Sequence, residues 1–220
     1  MPPIKTDFKR KSGLRDARLF VIAAEGCDTE KLYFEAIKNT FKNTRIHIEV
    51  LNRTDFGIAA NNSSPKDVLK TLDEFKKLHN LKKDDQLWLI IDRDRQNVSD
   101  KQLSEVAKQV VQKKYFLGLT NPCFEFWLVL HFENPNDFDA EKQATYLKNE
   151  KTNEKRLLER ILSEHIGGYS KSVYKTDLLM QNIRTAIAHA KALPLPENER
   201  WHTSIGTQVG DLVAQLVPNV

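Results

Sequence analysis

The segment Gln86–Ile91 (QLWLII) is apolar at nearly every position and stops abruptly on Asp92-Arg93-Asp94. Successive strand residues point to opposite faces, so an unbroken apolar run has to be covered on both sides. A sheet between two layers of helices meets that need, and it narrows the fold class to α/β. Arg18–Ala24 (RLFVIAA) is a second run of the same kind, closed by Glu25-Gly26.

The intervening sequence supplies the helices. One is expected from about Thr29 to Lys42, opened by Asp28 or Thr29, with Leu32, Tyr33, Ala36 and Ile37 on one face. Ile46–Leu51 alternates as a strand, and the polar loop Asn52–Ser63 leads to Ser64-Pro65. A serine N-cap followed by proline marks a helix start, here running to about Asn80. Ser99 with Gln102 forms a capping box for a helix ending near Lys114. Tyr115–Thr120 is a fourth strand, and Asn121-Pro122 opens a helix, CFEFWLVLHF, apolar on nearly every side. The order βαβαβαβα predicts a mostly parallel, doubly wound, four-stranded sheet. Residues 1–17 read as a basic tail and 18–135 as the α/β domain. Residues 136–220 read as a helical extension, with helices near 139–150, 152–165, 174–193 and 203–217. They form a small lobe or lie across the sheet.

Several function classes fall away on composition. At 40% hydrophobic and 29% charged, the chain is that of a globular protein. Its longest apolar runs are too short to span a bilayer, and the basic stretch MPPIKTDFKRKSGLR lacks the apolar core of a signal peptide. A cytoplasmic protein with no membrane partner is expected. Two cysteines, Cys27 and Cys123, make neither a disulfide framework nor a four-thiolate zinc site, and read as small buried residues. The net charge of +4 permits a polyanionic partner without demanding one.

The informative feature is where the acids fall. Glu25 follows the first strand, and Asp92 and Asp94 follow the third; open α/β sheets bind ligands beyond the carboxyl ends of their strands. Asp-x-Asp on an extended backbone puts two carboxylates on one side. Glu25 joins them if the first and third strands are neighbours. Three such carboxylates suit Mg²⁺ or Mn²⁺, and the fitting chemistry is phosphoryl transfer or phosphodiester hydrolysis. Glu125, the odd residue of an apolar helix, is a candidate fourth ligand; Glu30 is a candidate for a second metal position. Plainer readings stand beside these: Asp-x-Asp as a turn with a cap, Arg93 and Arg95 pairing with the acids, and Glu125 favouring its helix N-terminus.

A strand ending in Glu-Gly, then helix, strand, helix and a strand ending in Asp-x-Asp, resembles the Toprim pattern of topoisomerases, primases, recombination proteins and OLD-type nucleases. More narrowly, AAEGCDTEKLYF, SSPKDVL, LIIDRDRQ and NPCFEFWLVLHF resemble the RloB family in order and spacing. The Tyr169-Ser170-Lys171 stretch, the helix with Ala186, Ile187 and Ala190, and TQVGDLVAQL extend the likeness over nearly the whole chain. The resemblance implies a Toprim-like fold with Glu25, Asp92 and Asp94 as its acidic motif. It also implies a nuclease effector of phage defence or abortive infection, encoded beside an ABC-type ATPase partner. Lys171 is a candidate for stabilising transition-state charge, or is simply a solvated lysine before a helix.

A nuclease needs cations to hold the phosphate backbone. Basic residues gather at Lys9–Arg18, Lys76–Lys83 and Lys171–Lys175. The third is favoured for nucleic acid, because Tyr169 and Tyr174 interleave with Lys171 and Lys175 and aromatics stack on bases. The second reads as the solvated end of a helix. The expected activity is therefore metal-dependent endonuclease cleavage of DNA or RNA. The alternative is a non-catalytic Toprim-like module that binds nucleic acid or its partner. A metal-dependent transferase is disfavoured, for no glycine-rich phosphate loop appears. His131, His165, His189 and His202 are scattered and read as surface or packing residues. Helical surfaces in the second half suit a homo-oligomer or an ATPase dock equally.

Overall fold

The structure, a computed structural model, describes residues 5–9, 16–26, 28–93 and 98–218. Asp94, Arg95, Cys27 and most of the basic tail lie outside the described residues. The long elements follow in order: β1 (Arg18–Ala24), α1 (Thr29–Thr40), β2 (Ile46–Val50), α2 (Pro65–Leu78), β3 (Gln86–Asp92), α3 (Asp100–Lys113), β4 (Phe116–Asn121) and α4 (Phe124–Val129). The second half holds α5 (Ala140–Lys148), β5 (Lys151–Thr152), β6 (Lys155–Arg156), α6 (Leu157–Ile166), β7 (Tyr169–Ser170) and β8 (Val173–Tyr174). It ends with α7 (Asp177–Gln181), α8 (Ile183–Lys191), β9 (Gly206–Thr207) and α9 (Val209–Leu216).

The fold is α/β, built on a mixed five-stranded sheet of order β9-β4-β3-β1-β2. β1 pairs in parallel with both β2 and β3, and β3 in parallel with β4, whereas β9 runs antiparallel to β4. The four long strands are the four read from the sequence. The fifth corrects the sequence expectation of four, and the second half is not all helix. Gly206 and Thr207 close the sheet edge against Asn121 and Thr120, and two short hairpins, β5-β6 and β7-β8, separate the helices. Each of these strands is two residues long, too short to carry a period-2 pattern. The expected helix at 152–165 absorbed a polar hairpin whose turn holds Asn153 at φ 58°; the one at 174–193 is divided at Asn182 into α7 and α8. α4 is also shorter than CFEFWLVLHF suggested.

Strand alternation sends Leu19, Val21, Leu87, Leu89 and Ile91 to one face, where α2 and α3 cover them. Phe20, Ile22, Trp88 and Ile90 face a larger core made with α1, α4 and the helices of the second half, down to Leu212 and Leu216. The caps are those the sequence signals: Ser64 accepts from the Asp67 amide ahead of Pro65, and Ser99 and Gln102 form a reciprocal capping box. No helix among the described residues is long and apolar enough to cross a membrane.

Candidate active-site cleft

The pairing of β1 with β3 sets Ala24 opposite Ile90, so Glu25 and Asp92 leave adjacent strand ends together. Glu25 Oε2 accepts the Asp92 amide at 3.1 Å, and Asp92 Oδ1 accepts the Phe124 amide at 2.9 Å. Glu30, in the first turn of α1, is 4% exposed and accepts the Gly26 amide at 3.1 Å. Gly26 leaves room for this carboxylate: a Cβ there would lie 2.0 Å from Glu30 Oε2 and displace it. Glu125, in the first turn of α4, is also 4% exposed and accepts from the Tyr169 hydroxyl at 2.9 Å. All four carboxylates line one open cleft of about 680 Å³ at the carboxyl end of the sheet.

So many acids in one place perturb each other. Burial, then the charges of Glu30, Glu25 and Glu125, push Asp92 well above the usual carboxylate range. Burial, with the Glu125 carboxylate adding to it, pushes Glu30 up to about 7. Burial, with Glu125 and Asp92, also pushes the Cys123 thiol up, so this half-buried cysteine is an inert neighbour rather than a nucleophile.

Lys171 sits in the turn between β7 and β8 and reaches into the cleft. Its ammonium is 3.6 Å from Glu125 and 3.8 Å from Glu159, and the Glu125 charge raises its pKa. The hairpin is tied to α1: the Thr29 hydroxyl donates to the Lys171 carbonyl at 3.1 Å, and the Tyr174 hydroxyl donates to the Thr29 carbonyl at 2.7 Å. Tyr174 also packs on the Tyr169 ring, which makes it a brace for α1. Lys175 is exposed and its ammonium lies beside the Gly167 turn, outside the cleft lining. Of the Lys171, Tyr174 and Lys175 cluster, therefore, Lys171 alone lines the cleft.

Two more residues shape the site: Arg53, which the sequence does not mark, and Asn121, which it marks only as a helix start. Arg53, in the polar loop after β2, is 6% exposed and donates to the carbonyls of Ala24 at 3.0 Å, of Glu25, and of Asn62 at 2.5 Å. It fixes the backbone from which Glu25 projects. Asn121, at the end of β4, is 1% exposed; its Nδ2 donates to the carbonyls of His202 at 2.9 Å and Ser204 at 2.8 Å. Those two acceptors orient the amide, and its Oδ1 is buried without a partner among the described residues. Arg93 pairs with Asp100 and the Val98 carbonyl, so it does not neutralise the cleft acids.

Among the described residues no three His, Cys, Asp or Glu side chains stand close enough to hold a metal ion as they are. The donor chemistry nonetheless fits a hard divalent cation. Every candidate ligand is an oxygen, the carboxylates repel one another, and Asn121, whose buried Oδ1 has no partner among the described residues, belongs to the same cleft lining. A family model described as RloB-like protein matches residues 20–216. No curated protein and no solved structure matches the chain.

Proposed function

Because the chain belongs to the RloB-like family, we propose that it is a Toprim-like, Mg²⁺- or Mn²⁺-dependent endonuclease acting on DNA or RNA. The observation that carries this reading is the convergence of Glu25, Asp92, Glu30 and Glu125 with Lys171 on one cleft beyond the strand ends. Glu25 and Asp92 would hold the cation, with Asp94 joining them as the family resemblance implies, and Glu30 and Glu125 would complete a further position. When bound, such a cation neutralises phosphoryl oxygens and orients the attacking water for phosphodiester cleavage. Lys171, kept protonated by Glu125, adds positive charge where the phosphate's negative charge grows. Tyr169 and Thr29 hold Glu125 and the Lys171 turn in register, and Arg53 holds the Glu25 backbone. An ABC-type ATPase partner and a role in phage defence rest on the family resemblance.

The test is cleavage of plasmid DNA and of total tRNA with Mg²⁺ or Mn²⁺, with and without the ATPase. Wild type is compared with Glu25→Ala and Asp92→Ala. Metal-dependent cutting that drops at least about 100-fold in both variants is expected, the usual scale for removing an electrostatic catalytic group. No cutting under any condition, with no Mn²⁺ binding by calorimetry, would leave a module that binds nucleic acid or its partner without cleaving.

A further inference from the structure

Among the described residues four cations line the acidic cleft, and two of them are already committed: Arg93 to Asp100, and Lys171 to Glu125 and Glu159. The other two, Lys148 and Arg156, have no acidic side chain within ion-pair distance among the described residues. Neither belongs to the three basic clusters visible in the sequence. Lys148 is the last residue of α5 and Arg156 immediately precedes α6, so the β5-β6 hairpin leaves and re-enters the cleft wall between them.

That wall is rigidly built. Asn149, 4% exposed and at φ 45°, accepts the Leu158 amide on Oδ1 at 3.0 Å and sends Nδ2 to Cys123 Sγ at 3.3 Å. It thereby fastens the end of α5 to the start of α6 and both to the residue before α4. The Leu157 amide donates to the Glu150 carbonyl at 3.0 Å, and the Arg156 amide donates to Glu159 at 2.8 Å. Both cations thus leave fixed backbone toward a concave surface, where the field of a charge is focused. Lys148 also complements the α5 dipole, but Arg156, at the head of a helix, is placed against it. The Glu159 carboxylate is taken by the Arg156 amide, and the guanidinium itself has no ion-pair partner among the described residues, which leaves it open to an external anion.

We propose that Lys148 and Arg156 bind the backbone phosphates of a nucleic-acid strand flanking the phosphodiester presented to the carboxylates, an inference that rests on the reading above. The cleft volume is that of a site for a small ligand, which suits one or two unpaired nucleotides. A guanidinium gives bidentate phosphate contact and an ammonium a point charge. The pair therefore positions the strand without reading its sequence.

The experiment is fluorescence anisotropy of short labelled single strands, DNA and RNA, in Ca²⁺ across a salt series. It uses wild type, the double variant Lys148→Ala/Arg156→Ala, and Lys101→Ala/Lys108→Ala, which removes the same charge from the exposed face of α3. The cleft variant is expected to bind roughly tenfold more weakly, with a salt slope reduced by about 0.7 per lost contact, while the α3 variant stays near wild type. Mn²⁺ affinity by calorimetry is expected to be unchanged in the cleft variant. Equal affinity and slope in cleft variant and wild type overturns the proposal, as does an equal loss in the α3 variant or no strand binding by wild type. Binding that depends on Lys148 and Arg156 without any cleavage would sink the nuclease reading and leave this site standing.

Discussion

In the middle of the larger core His131 is 1% exposed, with its Nδ1 3.1 Å from the Trp127 and Leu128 carbonyls. Two carbonyls need a donor there, so Nδ1 carries the proton and Nε2 accepts from the Tyr33 hydroxyl at 3.0 Å. Burial lowers its pKa from 6.5 to about 3. The unfolded chain therefore binds the proton more readily, and the neutral imidazole's contribution is fully present above pH 6.5 and is lost as pH falls toward 3. Between pH 6.5 and 5 this residue alone is expected to cost about 2 kcal/mol of stability. Urea unfolding of wild type and His131→Gln across that interval checks it. A wild-type acid limb no steeper than the variant's would mean His131 is protonated in the fold. The sequence reads His131 as a surface or packing residue; its neutrality follows from burial in a core assembled from distant segments, with Tyr33 98 positions away, which no local pattern contains.

The long strands and the capped helices were legible because each carries its own signal: an apolar run for β1 and β3, Ser64-Pro65 for α2, a capping box for α3. The short hairpins were not, because strands of two residues are too short to show an alternating pattern. The candidate site divides the same way. Glu25 and Asp92 end apolar runs and stand out, whereas Arg53 lies in a polar loop like any surface arginine. In the fold it is the clamp of an element: one guanidinium serves three carbonyls, two at the end of β1 and one in its own loop after β2. Lysine offers one compact ammonium in place of that planar fork. Arg53→Lys is thus expected to lose about 1–3 kcal/mol, the cost of leaving buried carbonyls without donors, read as a lower urea midpoint with an unchanged slope. An unchanged midpoint would show that the end of β1 needs no clamp.

Across the whole molecule the two cores do one thing together: they hold β1, β3 and β4 side by side so that Glu25, Asp92 and Asn121 emerge at one edge of the sheet. That edge is electrostatically unfavourable. Among the described residues six acidic residues line the cleft, Asp92 and Glu30 are pushed toward protonation, and the buried Arg93 at its wall is spent on Asp100. A fold selected for stability alone has no use for that repulsion, whereas a site that takes up a cation does. Asp92→Asn removes one charge and keeps the oxygen that accepts the Phe124 amide. Without added metal at pH 8, the variant is therefore expected to melt at a higher temperature than wild type. Mn²⁺ should reverse the order. Ligand binding to the folded state stabilises by about 2.7 kcal/mol at a hundredfold excess over Kd, and wild type alone should receive most of it. Thermal melts of both proteins in EDTA and in a Mn²⁺ series decide the matter. If Asp92→Asn melts lower in EDTA, the carboxylate is held for the fold; if it melts higher and Mn²⁺ lifts only wild type, the strand ends are strained for the sake of a cation.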